Sequence, residues 1–101
     1  MRKLDDCYYP NQRRQMEKDL RDMIEKHKRQ ILTRLNDLPC EPFPHDYKHL
    51  SQYPNCYRID EGEYRICYKI DKKKKEIIFI TATKRNDDEV YKAMKRLAKG
   101  L

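Results

Sequence analysis

Six residues in the second half of the chain have the types and spacings that phosphate chemistry requires. Arg58 and Asp60 lie two apart, so on an extended strand both side chains point to one side. Arg65 follows across a short turn, Lys84 and Arg85 close the next apolar run, and Tyr91 stands six residues beyond Arg85. Cationic groups drawn from several elements can surround a scissile phosphate and stabilise the charge that builds during phosphoryl transfer. An aromatic ring at the rim can stack on an unpaired base. Arginines on an exposed sheet face also serve as plain solvated charges, so the pattern alone leaves both readings open.

Two other groups bear on chemistry. Cys40, His45, His49 and Cys56 have the spacing C-x4-H-x3-H-x6-C, made of zinc-ligand types. It matches no common structural zinc site, and Cys56 falls inside a strand-like segment, so neither a metal nor another cofactor is expected. The run Lys72–Lys75 reads as a charged hairpin turn, either solvated or in contact with nucleic-acid phosphates.

The elements that must position these residues are legible from periodicity. From Asn11 to Leu38 there is no Gly or Pro. Met16, Leu20, Met23, Ile24, His27, Ile31, Leu35 and Leu38 form an amphipathic stripe, bounded by Pro10 and Pro39 with Asn11 as N-cap. The spacing predicts one long helix over 11–38, or a helical hairpin kinked near Lys26–Lys28. Residues 39–55 hold four of the five prolines and read as a connector. Strands are expected at Cys56–Asp60, at Tyr64–Asp71 with its period of two, and at Glu76–Thr83, whose β-branched content suits a central strand. Val90, Met94, Leu97 and Ala98 then return to helical spacing over 86–98. The expectation is an α+β fold. A long helix or helical hairpin packs on one face of a small, mainly antiparallel sheet, basic side chains occupy the other face, and a helix ends the chain. The whole of 1–101 reads as a single domain, with 1–10 an N-terminal segment, 11–38 helical, 56–83 the sheet and 86–98 the last helix.

Composition narrows the function classes. Of 101 residues 41% are charged, against roughly a quarter in an average globular chain. The charge is mixed, with 24 basic and 17 acidic residues, and eight Tyr and two Phe support a folded core rather than disorder. Residues 1–50 carry 11 Lys/Arg against 9 Asp/Glu, and residues 51–101 carry 13 against 8. The C-terminal half is therefore the electropositive one, and a phosphate backbone is the simplest partner it implies. No apolar run is long enough for a membrane span, and MRKLDDCYYP lacks the apolar segment of a secretory leader. A cytoplasmic protein is expected, its four cysteines (Cys7, Cys40, Cys56, Cys67) reduced and mostly packing residues, with no disulfide framework.

The run NCYRI-(DEGE)-YRICYKI, followed by EIIFITATKRNDDEVYKAMKRL, resembles the RelE/ParE superfamily of toxins, and the RelE-type mRNA interferases in particular. The family pattern is a strand ending in C-Y-basic-I, a hairpin into Y-R-hydrophobic-x-Y, an apolar strand, then K-R-x-x-x-E-V-Y-x-x-A. Residues 53–98 match it nearly throughout, about half the chain. The family's first strand is not obvious in MRKLDDCYY, although Leu4–Tyr9 can supply a short one.

The resemblance implies the toxin of a type II toxin–antitoxin system. Such a toxin enters the ribosomal A site and cuts mRNA without a metal: the ribose 2′-hydroxyl attacks the adjacent phosphate, leaving a 2′,3′-cyclic phosphate and a 5′-hydroxyl. By position Arg65 would hold the phosphate, Arg85 would stabilise the transition state, Tyr91 would stack on or orient a base, and Arg58 would replace a phosphate-contacting lysine. Lys48 and Lys72, Lys73, Lys74 and Lys75 would bind RNA. The partners implied are a cognate antitoxin, in a hetero-oligomer, and the ribosome with its mRNA; no membrane is involved. One departure stands out. Asp60 occupies a position that is often basic in the family and a candidate general base. A carboxylate beside arginines is stabilised in its ionised form and so weakened as a base. Lys84, Lys48 or Asp60 itself remain candidates for that role, as do His45 and His49, since some relatives use histidines. The alternatives are a ParE-like toxin that inhibits DNA gyrase without cutting RNA, and a catalytically weakened homologue that only binds.

Overall fold

The computed structural model describes residues 7–100. Five strands, β1 (Tyr9–Gln12), β2 (Lys48–His49), β3 (Cys56–Glu61), β4 (Tyr64–Asp71) and β5 (Glu76–Lys84), form one sheet in the order β1-β5-β4-β3-β2. The helices are α1 (Arg14–Arg21), α2 (Glu25–Asp37) and α3 (Asp87–Leu97), the last followed by a 3-10 turn over Ala98–Gly100. Strands β2 to β5 pair antiparallel, whereas β1 runs parallel to β5. The fold is α+β, as the sequence predicts, and β3, β4, β5 and α3 lie where expected.

The N-terminal half differs from expectation. Asn11 does not cap a helix but sits in β1, opposite Ile78. Pro10 is tolerated there because β1 is an edge strand and its missing N–H leaves no ladder bond broken on the outer side. The alternative strand at Leu4–Tyr9 lies partly outside the described residues. A single helix over 11–38 is also not formed. The chain breaks at Asp22–Ile24, about a turn before the expected kink, with Asp22 closing α1 and Ile24 extended before α2. A straight 28-residue helix would run about 42 Å, longer than the molecule's greatest extent of 35 Å. Two shorter helices keep both halves of the apolar stripe on the sheet. The connector is not wholly irregular either, since Lys48 and His49 form β2 against Arg58 and Tyr57.

Both sheet faces are covered. Met16, Leu20, Ile31, Leu35 and Leu38 of the first two helices pack on Ile59, Ile66, Tyr68, Ile70, Ile77, Phe79 and Ala82. Val90 and Met94 of α3 pack on Cys56, Cys67, Ile78 and Ile80. The second face is thus a smaller apolar core beside the arginines rather than a basic surface throughout. Beyond the end of β1, Asp19 of α1 takes over the β5 edge, accepting from the Ala82 N–H at 3.0 Å and from the Thr81 hydroxyl.

The cysteines also depart from expectation. Cys7 and Cys40 are joined in a disulfide across 33 residues. Pairing of β1 with β5 brings Cys7 and Tyr8 against the end of α2, where the Tyr8 N–H donates to the Pro39 carbonyl at 2.7 Å. Cys56 and Cys67 are free and buried, as packing residues should be.

Candidate active site

The β3–β4 hairpin turns through Gly62-Glu63, a two-residue loop that suits the twist of the flanking strands. Gly62 has φ +58°, and a Cβ there would lie 3.0 Å from the Gln30 side-chain oxygen, so a larger residue would be both strained and crowded. This tight turn sets Asp60 directly opposite Arg65. Residues opposite one another share a face, so Lys48, Arg58, Asp60, Arg65 and Thr83 lie on one side of the sheet, the side that α3 covers.

Asp60 is the hub of the cluster. Its Oδ1 accepts from Arg65 Nε at 3.0 Å and lies 3.7 Å from Arg58 Nη1, and its Oδ2 lies 3.4 Å from Arg85 Nη2. Arg58 and Arg65 are largely buried, with side chains 18% and 15% exposed, whereas Arg85 at 53% stands at the rim. Arg85 is fixed by its backbone N–H, which donates to the Glu63 carbonyl at 3.0 Å. Arg65 also donates to Asp87, the first residue of α3. Burial works against the Arg65 charge, but its bonds to Asp87 and Asp60 outweigh that and hold its pKa above the ordinary value. The hydrogen bond from Arg65, and then its charge, hold the Asp87 carboxyl below the usual range. Beneath Arg58 and Arg65, burial pushes the Cys67 thiol up to about 12, so the floor of the site is neutral.

Helix α3 supplies the opposite wall. Asn86 caps it, its side-chain oxygen accepting from the N–H groups of Asp88 at 2.8 Å and Glu89 at 3.4 Å. Asp87 and Tyr91, one turn apart, then face a cleft of about 190 Å³ that Arg58, Leu50, Tyr53, Val90 and Met94 also line. Tyr91 is half-exposed there. The cleft pairs an apolar floor with an edge that carries Arg58 and Asp87, and the Tyr91 ring beside it suits the face of a base.

Of the residues singled out from the sequence, Arg58, Asp60, Arg65, Arg85 and Tyr91 come together, and Lys48 shares their face. Lys84 does not. Ile80 is an extra residue in β5, since Phe79 opposes Tyr68 and Thr81 already opposes Cys67. This bulge reverses the alternation, so Thr83 faces the Arg65 side and Lys84 the other. Lys84 Nζ lies 4.0 Å from Glu63 and 5.1 Å from the centre of the Tyr64 ring. Lys72–Lys75 forms the turn at the far end of β4, about 20–25 Å from Arg65 by strand rise. His49 opposes Tyr57, its ring tilted against the tyrosine ring at 5.3 Å, on the face away from Arg58, and His45 is exposed in the connector. The C-x4-H-x3-H-x6-C residues are not gathered: Cys40 is in the disulfide, Cys56 is buried, and among the described residues no group of three or more His, Cys, Asp or Glu is arranged to hold a metal ion. Sequence reasoning did not single out Asp87 and missed its pairing with Arg65. Its position two residues after Arg85 was the available signal.

No family model matches the sequence, and no curated protein does. Solved structures do. The chain is similar to a chain of the archaeal RelE–RelB complex from Pyrococcus horikoshii, at 27% identity and a TM-score of 0.71, over 79% of this chain and 97% of that one. It is similar to the isolated E. coli RelE toxin at 25% identity and a TM-score of 0.68, over 88% and 97% of the two chains. The chain has the RelE toxin fold. The Mycobacterium tuberculosis RelBE2 toxin–antitoxin complex carries the same fold at 20% identity and a TM-score of 0.67, over 78% of this chain and 99% of that one. Among the described residues no helix of this RelE fold is long and apolar enough to cross a membrane.

Proposed function

We propose that this chain is the toxin of a type II toxin–antitoxin pair and cleaves mRNA in the ribosomal A site without a metal. The observation that carries the reading is the convergence of Arg58, Arg65 and Arg85 on one anion position, with Tyr91 across an adjoining cleft. In this reaction the 2′-hydroxyl loses its proton and attacks the neighbouring phosphorus. The bond to the 5′-oxygen breaks, that oxygen takes up a proton, and the product strand ends in a 2′,3′-cyclic phosphate. Arg58 and Arg65, held by the sheet, bind the non-bridging oxygens. Arg85 at the rim meets the extra negative charge of the transition state, and Tyr91 stacks on a base beside the scissile bond. Lys48, opposite Arg58, is the basic group on this face best placed to assist proton transfer or to bind the backbone. The Lys72–Lys75 turn, remote from the chemistry, is suited to ribosomal RNA phosphates. A RelB-like antitoxin is the expected partner in the cytoplasm, since the similar structures include RelE–RelB complexes.

Primer extension on a defined mRNA in a programmed ribosome tests this. A new 5′ end within the A-site codon is expected. Arg85→Ala and Arg65→Ala should each reduce cleavage by about 10²–10³-fold, the cost of removing one transition-state donor, while the protein stays folded. Intact mRNA with folded wild-type protein would sink the reading. A second reading, a weakened homologue that only binds, is favoured by one observation. Asp60 stands where a base is wanted and is engaged by three arginines.

A further inference from the structure

The two carboxylates on Arg65 are not equivalent. Asp60 lies within a strand, is one-third exposed, and is shared by three arginines. Asp87 is 89% exposed, and among the described residues its carboxylate has Arg65 as its sole hydrogen-bond or ion-pair partner. Helix α3 does not need it: Asn86 provides the cap, and Asp88 and Glu89 remain in the first turn to complement the dipole. Arg65, Arg58 and Lys48 all act on the Asp87 carboxylate. It therefore sits in the positive field that would draw an external anion. It also lines the cleft next to Tyr91, on the path by which a stacked nucleotide would bring its phosphate to Arg65.

We propose that Asp87 fills the phosphate position at Arg65 in the free protein, and that an incoming phosphodiester displaces it by side-chain rotation while Asp60 stays in place. The proposal rests on the reading of this cluster as a phosphate site and adds an internal competitor to it. The cost is a matter of populations. With Arg65 closed by Asp87 in about nine molecules of ten, the apparent affinity for a phosphodiester falls about tenfold below that of the open site. Asp87 is on this view a positioning residue, which keeps Arg65 oriented and charged but unoccupied by stray anions.

The test compares Asp87→Asn with Asp88→Asn. Both remove one negative charge from the same exposed turn, but only the first removes the partner of Arg65. The probe is a labelled single-stranded RNA with 2′-O-methyl groups, which cannot be cut, bound to full-length protein and followed by fluorescence anisotropy. Asp87→Asn is expected to bind about tenfold more tightly than wild type, and Asp88→Asn within about twofold of it. Asp87→Ser should repeat the gain, and unfolding curves establish that each variant is folded. Equal affinities for Asp87→Asn and Asp88→Asn, or no detectable binding by a folded Asp87→Asn, would overturn the proposal. Tighter binding by Asp87→Asn with no mRNA cut on the ribosome would leave it standing and refute the ribonuclease reading instead. Equal binding with normal cleavage would do the reverse.

Discussion

Replacing Asp60 with Asn should move stability and RNA affinity in opposite directions. The substitution keeps the shape and one acceptor oxygen but removes the charge that three guanidiniums share. Arg58 is 18% exposed and, among the described residues, makes its one salt bridge to Asp60, while Arg65 retains Asp87. Removing one member of a fully buried pair costs about 3–5 kcal/mol. The Asp60 side chain is 33% exposed and its Arg85 arm is at the rim, so the value must lie below that range. The hydrogen bond from Arg65 contributes at the level of a charged bond, about 1.5–3 kcal/mol, and the exposed arm close to nothing. The expected loss is about 2 kcal/mol, read as a lower urea midpoint at unchanged slope, or about 10 °C in Tm for a domain of this size. Sulfate should restore more stability to the variant than to wild type, because it binds the native cluster and not the unfolded chain. Affinity for single-stranded RNA should rise, and its dependence on log salt should steepen by about 0.7, one further phosphate's worth. A variant as stable as wild type in low salt, or one that binds RNA more weakly while folded, would refute the claim that Asp60 is the counter-ion of this cluster.

The disulfide and the Asp87 pair give two further expectations. Cys40→Ser opens a loop of 33 residues, for which chain entropy alone predicts a loss of about 3–4 kcal/mol. Its urea midpoint should match that of reduced wild type and no longer respond to reductant, and a wild-type midpoint indifferent to reductant would remove the cross-link's role. The Asp87 carboxyl is held low in the folded state by the hydrogen bond and charge of Arg65. Its stabilising contribution is therefore complete above the ordinary carboxylate range and is lost as pH falls through the depressed folded value. The stability difference between wild type and Asp87→Asn should accordingly be flat from about pH 5 to 8 and shrink only in acid. A difference that grows below pH 5 would reverse the sign and refute the pairing.

What the sequence made legible follows from range of interaction. Period-two alternation in YRICYKI and a two-residue turn are local, so they located Arg58, Asp60 and Arg65 on one face without tertiary information. The helical spacing of Val90, Met94 and Leu97 placed α3 for the same reason. The misses are non-local. Tyr9–Gln12 has no alternation and contains Pro10, and it is a strand only because β5 offers it a parallel edge. The disulfide depends on that pairing in turn. Lys84 was expected among the arginines because it closes the last apolar run beside Arg85, and one extra residue at Ile80 put it on the other side. A bulge carries no signature in composition, yet it decides which cations share the face of Arg65.

That parity has an electrostatic consequence. With Lys84 turned away, the site face keeps three guanidiniums and Lys48, and Asp60 and Asp87 offset half of that charge. Three like charges held within about 4 Å of a common point, two of them largely buried, would repel one another strongly at low effective dielectric. Asp60 makes the gathering stable, and it does so by occupying the space of an anion, so the arginines are already aimed at a negative centre, as the proposed reaction would require. Preorganised charge of this kind costs little reorganisation at the moment of reaction. The same carboxylate also repels the incoming phosphate. On the displacement proposed above, one acid stays and one leaves. Burial and strand position mark Asp60 as the first, and exposure at a helix terminus marks Asp87 as the second.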